Sequence, residues 1–416
     1  MREILHCDLN NFYATVECIE NPCYRKRPLV VCGAEELRHG VVLAKNYPAK
    51  AFGVKTGDTL WEARQKCPEL ISVRANFELY LQYSSAVRKI YEEYTDMVEA
   101  FGIDECWLDV TGSRLLFGNG KKIADEIRGR IKKQTGLTAS VGVSFNKISA
   151  KLASDMEKPD ATTVITPDNY KERIFPLPVE DLLYVGRATA KKLRLLNIHT
   201  IGELASARED ILIKWLGKWG SYLYCFANGR DNSPVRRTTE AAAVKSIGNS
   251  LTNYRDLKTE QEVKALMFLL AESVASRLRK SRFGRASLVG FSVKNSELIR
   301  TGAEKHFNPP TLIASEIAER AFALFRSVYD WRMPVRAVSV HVADFTMSDR
   351  QTDIFTDEKI AVKREIIEET VDNIRDKFGA DSIHRGIVAL DKELLKVNMK
   401  GEHVIHPEAF RLPEKH

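Results

Sequence analysis

Residues 101–109 read FGIDECWLD, with two acids, Asp104 and Glu105, side by side between apolar neighbours. Successive side chains of a strand point to opposite faces. Adjacent carboxylates therefore cannot serve one site from the middle of a regular strand, but they can where the chain turns. MVEAFG (97–102) and ECWLDV (105–110) read as the arms of a hairpin with Gly102 near its tip. Asp8 ends the apolar run EILHCDL (3–9), which reads as a strand, and it joins the other two if that strand lies beside the hairpin. Asp109 is set aside, because five residues along a strand from Asp104 put it about 16 Å away. Clustered carboxylates repel unless a cation holds them, and magnesium favours carboxylate oxygens. The competing reading is local: an Asp in a turn or after a strand often serves only the backbone. Trp107 and Leu108 read as packing, with the face of each left open.

Outward from this stretch, the first 168 residues mix strands and helices without a βαβ rhythm. That favours an α+β unit with helices on one face of an antiparallel sheet. NNFYATVECIE (10–20) reads as a helix with Asn10 or Asn11 as N-cap. Short helices are expected in PAKAFGVKTG (48–57) and TLWEARQKCPEL (59–70), and long ones near 76–95, 119–135 and 146–159, the last stopped by Pro159. From about 170 to 232 the texture is helical and Leu-rich, and NGRDNSPVRRTTE (228–240) reads as a linker. Residues 240–345 alternate strand and helix again, which suggests a small sheet with helices on one side.

The chain has 416 residues and a net charge of +7, a length that suggests two to four domains of about 100–200 residues. Residues 236–305 hold fourteen Lys/Arg against seven Asp/Glu, so the whole excess lies there. Such a cluster suits a phosphate backbone or, equally, a solvated helix face. Seven cysteines without a CxxC argue against a zinc site or disulfide framework and for a reducing cytosol. No signal-peptide core or apolar run of membrane-spanning length is present, so a cytoplasmic protein without membrane attachment is expected. Tyr47 and Lys50 lie three apart in NYPAK, and with Lys158 they can meet a triphosphate. Neither a GxxxxGK[ST] loop nor GxGxxG occurs, so side chains and metal would do this work.

Together these pieces resemble the Y-family of DNA polymerases, of the polymerase IV and UmuC-like kind, over nearly the whole chain. CDLNNFYATVE (7–17) is similar to the first family motif and NYPAKAFGVKTG (46–57) to the fingers motif. GIDECWLDVTG (102–112) is similar to S-I-D-E-x-x-L-D. SVGVSFNKISAKLASDMEKP (140–159) is similar to V-G-I-S-x-N-K-x-x-A-K-x-A-S-x-x-x-K-P. The resemblance implies a right-hand, multidomain α+β polymerase. Its parts would be an antiparallel-sheet palm (1–18 and 76–168), small fingers (19–75), a helix-hairpin-helix thumb (169–232), an α+β little finger (233–345) and a tail (346–416).

It also implies roles. Asp8, Asp104, Glu105 and the Leu9 carbonyl match metal ligands for two Mg2+, with Mn2+ as a substitute. Tyr13 matches the steric gate against a 2′-hydroxyl. The Asn11 and Phe12 amides with Tyr47, Lys50 and Lys158 match nucleotide contacts. Gly186 in the hairpin LYVGRATAKKLRLLNIHTIGEL (183–204), and Lys245, Ser246 and Gly248 in KSIGNSLT, match DNA contacts, and the basic cluster would follow the DNA backbones. QTDIF resembles a sliding-clamp peptide, with Gln351, Ile354 and Phe355 as its contacts. The expected partners are primer-template DNA, deoxynucleoside triphosphates and the clamp, and the expected state is a monomer. Departures are Lys50 for the usual Arg, Asn10 for a second Asp, Asp160–Ala161 for Asn–Gly, and Tyr184 near the hairpin's first glycine. Two alternatives stand beside a polymerase: a non-catalytic clamp- or DNA-binding repair factor, and a nucleotidyl cyclase.

Overall fold

The computed structural model describes residues 2–33, 40–240, 244–347, 358–379 and 382–397. The chain enters on β1 (Ile4–Leu9), buried at every position, and turns into α1 (Phe12–Glu20). Asn11 does stand at the N-cap of α1, but in the left-handed region (φ 48°) and without a side-chain cap bond. A small unit follows: β2 (Leu29–Cys32), β3 (Val42–Lys45), α2 (Tyr47–Ala51), α3 (Leu60–Lys66) and β4 (Ile71–Arg74). Its strands lie in the order β3-β2-β4 around a core that includes Val30, Val42, Ala49 and Leu60.

The chain then returns to β1 through α4 (Phe77–Glu92), β5 (Val98–Ala100), β6 (Glu105–Asp109), α5 (Arg114–Phe117), α6 (Gly120–Thr135), β7 (Ala139–Ser144), α7 (Lys147–Met156) and β8 (Thr162–Val164). The central sheet has the order β5-β6-β1-β7-β8. Its first four strands are antiparallel, and the edge strand β8 runs parallel to β7.

Contrary to the expectation of helices on one face, both faces are covered. Leu5, Cys7, Leu108 and Val141 pack with Ile90, Tyr91, Ile123 and Ile127 of α4 and α6. The other face carries His6, Asp8, Glu105 and Trp107 and lies under α7. There Gly142 is essential to the approach: a Cβ on it would sit 2.0 Å from Ala150 O and 2.5 Å from Ser154 N. Trp107 belongs to this face, its indole donating to Lys147 O at 3.0 Å, whereas Leu108 lies in the core beneath α4 and α6.

Helices α8 (Tyr170–Ile174), α9 (Arg187–Leu195), α10 (Ile201–Ser206), α11 (Glu209–Leu216) and α12 (Lys218–Ala227) form a separate cluster that shares Ile148 and Leu152 of α7. The polar linker then runs back along the central unit. Thr238 N donates to Asp96 O at 3.1 Å, and Arg236 pairs with Glu99 at 3.0 Å.

The last unit comprises β9 (Ser246–Leu257), α13 (Glu260–Ser281), β10 (Arg285–Asn295), β11 (Arg300–Thr311), α14 (Ala314–Val328) and β12 (Val335–Thr346), with strand order β11-β10-β12-β9, all antiparallel. Its two helices cover one face. β11 is a strand the sequence pattern did not reveal. Beyond it, α15 (Glu358–Phe378) lies along α13 through ion pairs.

Candidate active site

β1 and β6 pair with Asp8 opposite Glu105, and Leu9 N donates to Asp104 O at 3.1 Å. Asp104 occupies the bend before β6, and Glu105 is that strand's first residue. α4 fixes the bend from behind: Ser84 Oγ donates to Ile103 O, and Arg88 Nη2 donates to Gly102 O at 3.1 Å. The structure thus brings the three carboxylates to one end of the sheet. Asp109 is elsewhere, 3.7 Å from Arg2 and accepting from Thr111 N at 3.0 Å.

Two lysines and a histidine that face this end complete the electrostatics. From α7, Lys151 Nζ lies 3.1 Å from Glu105, 3.4 Å from Asp8 and 3.2 Å from Asp155. Lys158 Nζ lies 2.6 Å from Asp8 and 2.7 Å from Asp155. Burial, then the charges of Asp8 and Glu105, raises the Asp104 carboxyl to about 7. Burial also opposes ionisation of Glu105, but the His6 ring and Lys151 outweigh it and hold that carboxyl low. His6 is completely buried; desolvation lowers its imidazole while Glu105, 3.4 Å from its Nε2, acts the other way. The His6 ring is fixed through Nδ1, 2.8 Å from Ser154 Oγ.

Among the described residues, no three Asp, Glu, His or Cys side chains form a ready-made metal cage. The lysines share the oxygens of Asp8 and Glu105. The donor set nevertheless fits a hard divalent cation: three carboxylates, burial and mutual repulsion that drive Asp104 toward protonation, and a buried Glu105 Oε2 that no described donor hydrogen-bonds in good geometry, His6 Nε2 standing 3.4 Å away. An incomplete carboxylate set suits an ion that takes its remaining ligands from phosphate and water.

Beside the carboxylates, Tyr13 stacks on Tyr80 with centroids 4.5 Å apart and planes 16° from parallel, and meets Phe77 edge-on at 5.9 Å. Tyr80 is itself anchored, its hydroxyl donating to Glu17 at 2.6 Å. Burial and the nearby Asp104 push the Tyr13 phenol up to about 12. The first turn of α1 has no acidic residue and no side-chain cap, so its leading amides are available to an anion.

A family model for the impB/mucB/samB family matches residues 7–155, and the model of that family's C-terminal domain matches residues 244–354. The chain is 51% identical over 398 residues to a DNA polymerase IV of Acetivibrio thermocellus, covering 95% of this chain and 100% of that one. It is 36% identical to DNA polymerase IV 1 of Bacillus subtilis, covering 94% of each. Among solved structures, a Y-family DNA polymerase chimera, Dbh-Dpo4-Dbh, superposes with a TM-score of 0.74 at 27% identity, over 83% of this chain and all of the other.

The chain belongs to the Y-family of DNA polymerases. Its activity is DNA-directed DNA synthesis of the translesion kind, and the family's chemistry depends on a divalent metal.

In this polymerase, Tyr47 and Lys50 share α2, with the ammonium 5.9 Å from the Tyr47 ring centre. Burial raises the Tyr47 phenol; Lys158 acts against this and Asp8 with it, so Tyr47 faces the carboxylate end. Asn46, which sequence reasoning missed, sets α2 in place: its Oδ1 accepts from Leu29 N and Ala49 N, both at 3.0 Å, and its Nδ2 donates to Arg27 O at 2.8 Å. Lys151 and His6 were also missed. The available signal for Lys151 was its spacing, four before Asp155 on one face of the helix and seven before Lys158 just past its end. The replacements at Asn10 and Asp160 fit each other. Asn10 Oδ1 accepts from Asp160 N at 2.9 Å, and the Asp160 carboxylate pairs with Arg128 at 2.8 Å and Lys132 at 3.0 Å.

Gly186 is the exposed N-cap of α9, and Tyr184 adopts φ 72°, the conformation for which a glycine would be preferred. Lys245, Ser246 and Gly248 are exposed at the start of β9. Ser246 and Gly248 alternate with core residues Ile247 and Leu251, so they lie on the sheet face away from α13 and α14. The basic cluster needs correction as a continuous DNA track. Arg279 pairs with Asp372 at 2.7 Å and Glu368 at 3.3 Å, Lys280 pairs with Asp376 at 2.6 Å, and Arg285 pairs with Glu365. These cations are engaged by α15. Gln351, Ile354 and Phe355 lie outside the described residues.

Proposed function

We propose that the chain extends a primer on a template by nucleotidyl transfer, with Asp8, Asp104 and Glu105 as its metal-binding carboxylates. The observation that carries this reading is the meeting of these three acids at the β1–β6 junction, beside the clamped Tyr13 ring. Residues 1–18 and 76–168 are assigned as palm, 19–75 as fingers, 169–232 as thumb and 233–345 as little finger. The ions are two Mg2+, with Mn2+ as a substitute, and the Leu9 carbonyl is a further ligand. When bound, such ions lower the pKa of the primer 3′-hydroxyl and neutralise charge on the leaving pyrophosphate.

The chain's own groups do the positioning. Tyr47, Lys50, Lys158 and the Asn11 and Phe12 amides hold the triphosphate, and Tyr13 leaves no room for a 2′-hydroxyl. Lys151 holds Asp8 and Glu105 in place. Gly186 and the Lys245–Gly248 strand start grip DNA. The non-catalytic alternative is disfavoured, since charged lysines and an anchored bend maintain all three carboxylates. QTDIF (351–355) is assigned as a peptide for the sliding clamp, and Phe355→Ala is expected to abolish clamp binding without reducing primer extension in the clamp's absence. We place the protein in the cytoplasm as a monomer; no described helix is long and apolar enough to cross a membrane.

The test is primer extension with purified protein. Extension is expected with Mg2+, loss with a chelator, and recovery with added Mg2+ or Mn2+. Synthesis that persists in chelator would refute the metal assignment.

A further inference from the structure

The Tyr13 ring is held by a second helix. Tyr13 and Glu17 lie four residues apart on α1, on one face. From α4, Tyr80 touches both. Its ring stacks on Tyr13 at 4.5 Å, and its hydroxyl donates to Glu17 Oε1 at 2.6 Å. Phe12 and Phe77 meet Tyr80 edge-on at 6.2 and 6.0 Å. Three residues further along each helix, Tyr83 repeats the bond, donating to Glu20 at 2.8 Å. α1 and α4 are thus bolted together twice.

The inner bolt differs from ordinary packing. Tyr80 is fully buried and Glu17 is 6% exposed. Among the described residues, no lysine or arginine pairs with Glu17. A buried carboxylate without a cation is costly to keep, and an apolar side chain would fill the place without that cost. Burial, then the Glu17 acceptor, raises the Tyr80 phenol, so its hydroxyl stays a donor. The bond fixes the Tyr80 ring along its length, and the stack passes that constraint to Tyr13. The same helix also fixes the acidic bend. Ser84 and Arg88, four and eight residues after Tyr80, donate to Ile103 O and Gly102 O, just before Asp104. α4 therefore sets the Tyr13 ring and the carboxylate end against one another.

We infer that Glu17 and Tyr80 are positioning residues for sugar selection, holding the Tyr13 ring where a 2′-hydroxyl clashes with it. The inference rests on the assignment of Tyr13 as the gate. One extra oxygen is excluded only by a wall that cannot retreat, and a ring on an unanchored support can retreat.

The test compares kcat/KM for matched ribo- and deoxyribonucleotides on one primer-template, with the full chain. The ratio of the two cancels any loss of folded protein. Tyr80→Phe keeps the stacked ring and removes the bond to Glu17, and discrimination should fall about threefold. Glu17→Met removes the same bond from the other side and should match it. Glu17→Gln keeps an acceptor oxygen and should stay within about twofold of wild type. Tyr80→Leu removes the ring as well, and discrimination should fall by about tenfold. Tyr80→Phe combined with Tyr13→Ala should discriminate no worse than Tyr13→Ala alone, because the bond acts only through the ring. Wild-type discrimination in Tyr80→Phe and Glu17→Met, with lowered discrimination in Tyr13→Ala, would overturn this inference and leave the gate standing. Losses that add in the double variant would also overturn it. Unchanged discrimination in Tyr13→Ala would remove the gate, and this inference with it.

Discussion

Tyr13 is an immobilised side chain, stacked on a Tyr80 ring that is itself tied to Glu17. A sugar-selecting wall must be stiff, because selection against one extra oxygen works by a clash that cannot relax. Tyr13→Ala is therefore expected to lower discrimination against ribonucleotides by at least about tenfold, or about 1.4 kcal/mol. Comparing kcat/KM for matched ribo- and deoxyribonucleotides measures it, and unchanged selectivity would remove the gate. Lys151 is the second residue with a testable duty. Lys151→Met leaves the buried Asp8 and Glu105 carboxylates without this shared cation, a loss of about 3–5 kcal/mol by analogy with other broken buried pairs. Divalent cations should then raise the melting temperature more in this variant than in the wild type; identical shifts would contradict the positioning role. The acids were legible in sequence because a turn and two carboxylates sit in one contiguous motif. Lys151 was not, because a lysine on an amphipathic helix looks like a solvated one until the sheet beneath it is known.

Among the elements, α7 matters most to the site, since it delivers Lys151 and precedes Lys158. Its depth is set by Gly142 of β7, whose Cβ would strike Ala150 O at 2.0 Å. Gly142→Ala should destabilise the fold by about 1–3 kcal/mol or more through overpacking, and should reduce activity in the remaining folded protein. Urea denaturation gives the first quantity, and wild-type stability would show that α7 can shift at little cost. Several helix starts carry a side-chain cap of a kind legible in sequence: Asn76, Asn119 and Asn146 each accept an amide of the first turn, and Thr59, Thr200 and Thr259 close capping boxes, whereas Asn11, the cap the sequence suggested for α1, makes no such bond. Two elements were misread for physical reasons. β11 is a largely exposed edge strand, RTGAEKHFNPPT, with no apolar alternation to announce it. The helix-covered second face of the sheet was hidden because a strand buried on both sides loses its alternating pattern.

At the scale of the molecule, the charge distribution has two parts. The sheet face bearing Ser246 and Gly248 is free of the helices, while the basic face of α13 is occupied by acids of α15. Sequence showed the positive cluster and could not show its partner ninety residues later, which only the fold brings close. Removing the chain after residue 347 should strip Arg279, Lys280 and Arg285 of their α15 carboxylates. Duplex binding should then tighten at low salt, with its log–log salt slope steeper by up to about three, and the melting temperature should fall. An unchanged slope would mean that these cations cannot reach DNA even when released.

The central claim is that Asp8, Asp104 and Glu105 form the catalytic centre of a polymerase. Its most direct test is primer extension by Asp104→Asn and Glu105→Gln, with primer-template affinity and melting temperature measured alongside. Because metal-bound carboxylates contribute several kcal/mol to the transition state, extension should fall by about a thousandfold or more while DNA binding and folding persist. Extension by either variant at the wild-type rate would contradict the account.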